Sequence, residues 1–320
     1  MTRLVPADLV EPVVRGLVGA IDVDGGPTRE QLDVLRAITT HLWERPDLDP
    51  AVLTPSGPAA TAAGVTDPAA RRRFHEILFT LEACRHPLGE AQIDRAEAYA
   101  DALGFAGPDV VLFRTAVVAG ADRAAADFAR FLDASVQARH EPGLAVRAPA
   151  DAAEPELAAR VAAFADLPAD SLGRAYLGFY ERHRLSLPGA APSPMNHFFV
   201  SHDMTHVIAG IEPTAAGEIA LSAFQMAMDD TPVNTGALLC SLVVHEAGLG
   251  SSPTFGSEER VLAEPGAARL LGEELARGAA CTGDFSPADH FALAPLPIAE
   301  VRAQFGVGAP PQPEDGHHHW

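Results

Sequence analysis

The sequence predicts an all-α protein made of two helical domains, with a metal site on a helical hairpin in the C-terminal domain. Apolar residues recur every four positions at Leu9, Val13, Leu17 and Ile21, which is the spacing of one face of an amphipathic helix. Further apolar segments follow, separated by Gly and Pro residues that interrupt helices. A stretch rich in Pro, Ala and acidic residues, 136–154, then separates the two helical parts.

Four segments are expected along the chain. They are a helical domain over residues 1–135, a linker over 136–154, a metal-bearing helical domain over 155–308 and a disordered tail over 309–320. The tail, APPQPEDGHHHW, has the Pro-rich polar composition of segments that stay unfolded. Its histidines, 317–319, are left out of the predicted site because a terminal His tract binds metal adventitiously and is typical of an added tag.

Charge and composition exclude several function classes. The 320 residues carry a formal net charge of −20, and all 23 basic residues are arginine. This charge repels nucleic acid and disfavours binding to an anionic membrane through a basic face. No apolar run approaches the roughly 18 residues of a membrane span, and the N-terminus lacks the apolar core of a signal peptide. We therefore expect a cytoplasmic protein, or one peripheral to a membrane.

The cysteines point to the same compartment. Cys84, Cys240 and Cys281 are scattered along the chain. Their spacing fits neither a disulfide framework nor a cysteine-based zinc site. A dispersed set of this kind is typical of proteins of the reduced cytosol.

The segment after the first helix is predicted to be a turn followed by a capped helix. Thr28 is a suitable N-cap, Glu30 falls early in the helix, and Leu35 lies on its apolar face. Asp22 and Asp24 match the start of an EF-hand loop, but the later acidic ligands of such a loop are missing. A turn and cap is therefore favoured over a calcium loop.

A second helical unit over residues 74–105 has the same layout as the first, an apolar helix, a short turn and a Glu-rich helix. This layout indicates an internal helical-hairpin repeat. Residues 7–135 loosely resemble the tellurite-resistance B-type helical domain, whose units also place a capped helix after a "DG" turn. The unit also contains two pairs of side chains of types that bind metals. No further ligand follows them at a suitable spacing, so packing or surface roles are favoured for His75, Glu76, Cys84 and His86.

The C-terminal half is predicted to be helical throughout. Asp170 or Ser171 is expected to cap one helix. Residues 231–250 are apolar on nearly all sides, which indicates a buried helix, and a pocket lining for a hydrophobic molecule is the alternative to plain core. His245 and Glu246 follow this helix as candidates for supporting a metal ligand rather than binding the metal.

The block HDMTH carries the main functional signal. His202 and His206 are four positions apart, so on a helix they share a face. Asp203 lies about 100° round the helix from His202, close enough to bend towards a common ion. Glu218 follows after eleven intervening residues. A hydrogen-bonded histidine in a packed core remains the alternative for each ring, and burying these groups unpaired would cost several kcal/mol.

A helical hairpin would bring these four side chains together. Gly210 and Pro213 interrupt the first helix, and Thr214 is a plausible cap for a second helix. Two imidazoles and two carboxylates converging there suit a divalent metal with room for a further ligand. The zinc-protease signature HExxH is not matched, because Asp203 stands where that motif has its general-base Glu.

The block resembles the metal motif of the coenzyme Q biosynthesis protein four family, HDxxH followed after eleven residues by Glu. His202, Asp203, His206 and Glu218 fill its four positions. The segments LPADSLGRAYLGFYERHRLSLPG, GEIALSAFQ and FSPADHFALAPLPIAEVRAQFGV are similar to neighbouring segments of that family, so the resemblance covers about half of the chain, roughly 155–308. Departures occur at 196–200, where the family has a polar run, and at Ser222 and Gln225, where it often carries Lys and Glu.

The resemblance implies a prenylated aromatic ring bound beside the metal, with removal of its ring carboxyl and oxygenation at the same carbon. The leading prediction is a metal-dependent enzyme acting on a hydrophobic, quinone-like ring. The alternative is a non-catalytic prenyl-lipid scaffold for other biosynthetic enzymes, and a metallohydrolase is a third hypothesis that the apolar surroundings disfavour. Zinc is the first expectation for the metal, with iron or manganese as alternatives, and a homodimer is left open.

Overall fold

The structure, a computed structural model, describes residues 5–105, 133, 136–137, 141–249 and 258–320. Across these residues the regular secondary structure consists of thirteen α-helices and three 3-10 helices, and no β-strand is formed. Three isolated β-bridges occur in the same described part. The prediction of an all-α fold is confirmed.

The helices have the following bounds. Five precede the first internal gap in the description: α1 (Val10–Ile21), α2 (Arg29–His41), α3 (Pro58–Gly64), α4 (Pro68–Ala83) and α5 (Glu90–Leu103). Eight follow it: α6 (Pro155–Ala162), α7 (Leu172–His183), α8 (Asn196–Ala209), α9 (Ala215–Met228), α10 (Pro232–His245), α11 (Ala267–Ala280), α12 (His290–Leu293) and α13 (Ile298–Phe305). Among the helices described, none combines the length and the apolar character that a bilayer crossing requires.

The chain divides into two compact units that do not follow the order of the sequence. The first unit contains Met1–Leu132 and Glu218–Ala279, and the second contains Asp133–Gly217 and Ala280–Trp320. Residues 218–279, which the sequence assigns to the metal-bearing domain, thus group with the N-terminal helices. Residues 106–132, part of the predicted N-terminal domain, lie outside the described residues.

Helix α1 packs against four other helices of the first unit, α2, α3, α4 and α5. Its residues Val13 and Leu17 are fully buried, as the four-residue spacing predicts. The packing is close enough to require a glycine. A Cβ at Gly19 would lie 2.3 Å from Tyr99 Oη and 2.4 Å from the carbonyl oxygen of Ser56.

The helix starts predicted from capping residues are confirmed. Thr28 Oγ1 accepts a hydrogen bond from the Gln31 backbone N–H at 3.1 Å, and the Gln31 side chain accepts from the Thr28 N–H at 3.0 Å. This reciprocal pair is a capping box at the start of α2. Ser171 Oγ accepts from the Arg174 N–H at 3.2 Å at the start of α7, and Thr214 Oγ1 accepts from the Gly217 N–H at 3.0 Å at the start of α9.

In the second unit, α8 packs against α7 and α13. It ends at Gly210, whose φ of +70° is the left-handed conformation that glycine adopts readily. Arg302 on α13 donates hydrogen bonds of 3.1 Å each to the carbonyl oxygens of Val207 and Ile208. These bonds add partners to two of the last carbonyls of α8, of which that of Val207 also accepts from the Gly210 N–H at 3.3 Å.

The expectation of a disordered tail over 309–320 does not hold where the segment meets the end of α8. Ile211 forms an antiparallel bridge with His318, and His318 is buried. Two backbone hydrogen bonds, of 2.8 Å and 3.1 Å, join residues 210–212 to residues 317–319. Composition could not predict this order, because it arises from backbone pairing with a distant loop.

Candidate metal centre

Helix α8 presents its two histidines on one face. The ring centroids of His202 and His206 are 4.9 Å apart, and the rings meet edge to face. His206 is fully buried, whereas the side chain of His202 is 18% exposed. The four-residue spacing therefore places both imidazoles side by side, as predicted.

The Nδ1 atom of each ring has a hydrogen-bond partner within the second unit. His206 Nδ1 lies 2.9 Å from the backbone carbonyl oxygen of Ile211. Because a carbonyl oxygen only accepts, His206 carries its proton on Nδ1, which makes Nε2 the nitrogen with a lone pair. His202 Nδ1 lies 3.0 Å from Oδ1 of Asp203, and a carboxylate selects the same tautomer.

Asp203 is held by two partners at once. It is 7% exposed, and its Oδ2 accepts a short hydrogen bond from the Tyr180 hydroxyl while Oδ1 faces His202. Burial, followed by the neighbouring Tyr176 and Asp203, raises the pKa of Tyr180 far above its usual range, so the phenol keeps its proton and donates it. Tyr176 in turn donates to the Tyr180 oxygen at 3.2 Å. Both oxygens of Asp203 are therefore engaged by protein groups.

Glu218 lies in the first turn of α9, which Thr214 caps. The histidine pair belongs to the second unit, whereas Glu218 begins the segment that groups with the first unit. The helical hairpin over Gly210 and Thr214 therefore stays a prediction. The predicted ligand set of two imidazole nitrogens and a carboxylate oxygen has the chemistry that suits a divalent transition metal.

Aromatic rings surround the histidine pair within the second unit. Phe179 stacks on His206 with ring centroids 5.8 Å apart, and Phe198 stacks on His202 at 4.9 Å. Phe199 approaches His202 edge-on at 6.5 Å. Phe198 and Phe199 are half-buried, so this part of α8 offers an apolar, aromatic surface beside His202.

Sequence reasoning missed two polar groups of the second unit. The first is the Tyr176–Tyr180 pair, whose only signal is its four-residue spacing on a helix. The second is Glu212, in the loop after α8, which accepts a hydrogen bond of 3.0 Å from Arg182 and also contacts His183. Nothing in the local sequence marks Glu212, because its partners lie about 30 positions earlier in the chain.

Ser222 and Gln225, which follow Glu218 on α9 in the first unit, have ordinary packing contacts. Ser222 Oγ lies 2.7 Å from Ser241 Oγ, and both Ser222 and Gln225 are buried. The backbone carbonyl of Gln225 accepts a hydrogen bond from the Asn234 side chain at 3.0 Å.

No known family profile matches this chain. A comparison with curated proteins also gives no match. Among solved structures, the chain is similar to a protein of Nostoc punctiforme that is provisionally assigned to ubiquinone biosynthesis, with 18% sequence identity and a TM-score of 0.35. The alignment covers 75% of this chain and 98% of that chain. A TM-score of this size establishes neither a shared fold nor a shared function.

Proposed function

We propose that this chain binds a divalent metal ion through Nε2 of His202, Nε2 of His206 and the carboxylate of Glu218, and that it acts on a hydrophobic, quinone-like ring. The observation that carries the proposal is the set of contacts to Nδ1 of both histidines. A carboxylate and a backbone carbonyl there fix the tautomer that leaves Nε2 able to bind a metal. Such contacts accompany metal-binding histidines almost without exception.

In this proposal Asp203 orients a ligand instead of binding the ion. Its two oxygens face His202 and Tyr180, which supports this positioning role over the ligand role suggested by the motif alone. Three protein ligands leave coordination positions open for a substrate oxygen or water. The bound ion would supply Lewis acidity towards a carboxylate or phenolate oxygen, or lower the pKa of bound water.

The ring substrate is supported by the aromatic surface beside His202. Phe198 and Phe199 are half-buried there, and aromatic side chains suit a flat apolar ring. The motif resemblance implies decarboxylation and oxygenation of such a ring. Oxygen chemistry requires a redox-active ion such as iron or manganese, whereas zinc would restrict the protein to acid catalysis.

The metal is tested by elemental analysis of the purified chain and of Glu218→Gln, which keeps the shape of the side chain and removes its charge. We expect the variant to hold one metal ion fewer per chain, because a neutral amide is a poor ligand. His319→Asn is the matched control, since His319 is an exposed imidazole of the tail that only an adventitious ion would use. Equal metal content in the wild type and Glu218→Gln contradicts the proposed ligand set.

Catalysis is tested separately, with a prenylated hydroxybenzoic acid as probe. Loss of the ring carboxyl by the metal-loaded wild type but not by Glu218→Gln supports the enzyme. The non-catalytic scaffold is the other outcome. It predicts a co-purifying prenyl lipid, detected by mass spectrometry, that is retained by Glu218→Ala with no turnover in either protein.

A further inference from the structure

The first unit holds another group of metal-type side chains. Glu30 in the first turn of α2, His86 shortly after α4, and Glu246 directly after α10 each offer one ligand atom, and these atoms lie within 4.8 Å of one another. Sequence alone gives His86 a packing role and assigns Glu246 no more than a supporting one. No spacing motif joins them, since His86 and Glu246 are 160 positions apart.

Hydrogen bonds and close contacts hold the side chains of this group in place. His86 Nε2 lies 2.9 Å from Oε1 of Glu246, while the other Glu246 oxygen accepts a hydrogen bond from the Leu262 N–H at 2.7 Å. On the other side of the ring, His86 Nδ1 lies 3.4 Å from Glu259. Without an ion, the contact between His86 Nε2 and Glu246 is an N–H···O hydrogen bond, because a carboxylate accepts. An ion bound to both atoms would replace the Nε2 proton, and two donors that are each about 2.1 Å from one ion stand about 3.0–3.4 Å apart.

Burial removes the carboxyl groups of Glu30 and Glu246 from water, and the surrounding protein groups compensate little for that loss. Glu246 is fully buried, Glu30 is 8% exposed, and Oε1 of Glu30 is buried without a hydrogen-bond partner. Arg260 is 3.7 Å from Glu30, but its side chain is 60% exposed, so it compensates little.

His86 would bind an ion as a neutral imidazole, which is the metal-binding form of histidine. A single cation between the three side chains would neutralise both buried carboxylates and use the oxygen of Glu30 that has no hydrogen bond.

We propose that Glu30, His86 and Glu246 bind a divalent first-row transition-metal ion, with Glu259 at the rim of the site. An imidazole nitrogen among carboxylate oxygens suits zinc or manganese. Calcium is disfavoured, because it takes about six to eight oxygen ligands. The competing explanation is structural: the two carboxyl groups share a proton and bind no ion.

The two explanations differ in the behaviour of Glu30→Gln. The test uses the full chain carrying His317→Asn and His319→Asn, so that the tail does not contribute zinc. Zinc content is measured by equilibrium dialysis, and the melting temperature is measured after chelation. The metal site predicts one zinc fewer per chain, with a melting temperature in chelator equal to or above that of the parent, because the neutral amide needs neither an ion nor a proton beside the buried Glu246 carboxyl group.

Glu273→Gln is the matched control. Glu273 is equally buried in the same unit but is paired with Arg269 at 2.9 Å, so its substitution should lower the melting temperature and leave the zinc content unchanged. Glu246→Gln provides a second ligand variant. The proposal is overturned if Glu30→Gln and Glu246→Gln both keep the parent's zinc content, or if calcium at equal concentration displaces the zinc. Combining Glu30→Gln with Glu218→Gln separates this site from the histidine pair, since the losses of zinc should add.

Discussion

The hydrogen bonds at Nδ1 of His202 and His206 determine which ring nitrogen each can offer to a cation. A backbone carbonyl does this for His206 and a carboxylate does it for His202. The carbonyl partner leaves no choice of tautomer, whereas the carboxylate partner can be changed by mutation. Asp203 is thus the residue at which the proposed geometry can be disturbed without removing a ligand.

Substitution of Asp203 by Asn should weaken zinc binding at the histidine pair by about 10–100-fold. The amide keeps the size of the side chain, but it can turn its NH2 group towards His202 and so favour the tautomer with the proton on Nε2. Affinity is measured by competition with a chromogenic zinc chelator. Asp166→Asn, at an exposed aspartate of the same unit, should leave the affinity unchanged.

Two other results would contradict the positioning role of Asp203. A complete loss of zinc at this site, equal to that of His206→Asn, would mean that Asp203 binds the ion directly, as the HDxxH motif first suggests. An unchanged affinity would mean that His202 keeps its orientation without the carboxylate.

The placement of the histidine pair was predictable, because its signals are local. Positions four apart gave the neighbouring rings, and Gly210 and Thr214 gave the end of α8 and the start of α9. The group of Glu30, His86 and Glu246 was not predictable. Its members come from three distant parts of the chain, and only tertiary packing brings them within reach of one another.

At the scale of the helices, capping chemistry located the starts of α2, α7 and α9 correctly, and glycine located the end of α8. These signals act within about one turn of helix, so the sequence alone displays them. The grouping of residues 218–279 with the N-terminal helices has no such signal. The sequence of an apolar helix such as α10 shows that the helix must be buried, but it does not show which other helices cover it.

The packing of α1 gives a test of the first unit. Gly19→Ala should lower the free energy of unfolding by about 1–3 kcal/mol, because a methyl group would overlap Tyr99 Oη and the Ser56 carbonyl oxygen, 2.3 Å and 2.4 Å from the new carbon. Urea unfolding followed by circular dichroism measures the change.

A helical glycine with space around it provides the control. At Gly178 in α7, the nearest atom to an added Cβ is Arg182 Nη1 at 3.8 Å. Gly178→Ala should therefore raise stability by about 0.5–1 kcal/mol through helix propensity. If both substitutions had the same sign and size, the close approach at Gly19 would not be a determinant of the packing.

At the scale of the whole molecule, an excess of negative charge favours cations. The formal net charge is −20, and no lysine is present. A field of this sign raises the local concentration of divalent cations and lowers that of polyanions. The charge does not select where an ion binds, and the nitrogen and oxygen donors would make that selection in both proposed sites.

The C-terminal segment pairs with the loop that follows α8. Residues 317–319 pair with residues 210–212 through two backbone hydrogen bonds of 2.8 Å and 3.1 Å, and Ile211 in that loop orients His206. Removal of residues 309–320 should therefore lower the melting temperature and weaken zinc binding at the histidine pair by about 10-fold, the lower end of the effect of losing an orienting partner. Both are measured on the truncated and full-length chains.

The imidazoles of the tail must be separated from its backbone in this experiment. The full-length variant with His317→Asn and His319→Asn keeps the backbone pairing and loses two potential zinc ligands. If the segment acts by holding the loop in place through backbone hydrogen bonds, this variant binds zinc at the histidine pair as tightly as the parent does. Only truncation then weakens zinc binding. If the double variant loses as much zinc as the truncated chain, the tail acts through its own imidazoles, and the loop at Ile211 holds His206 without help.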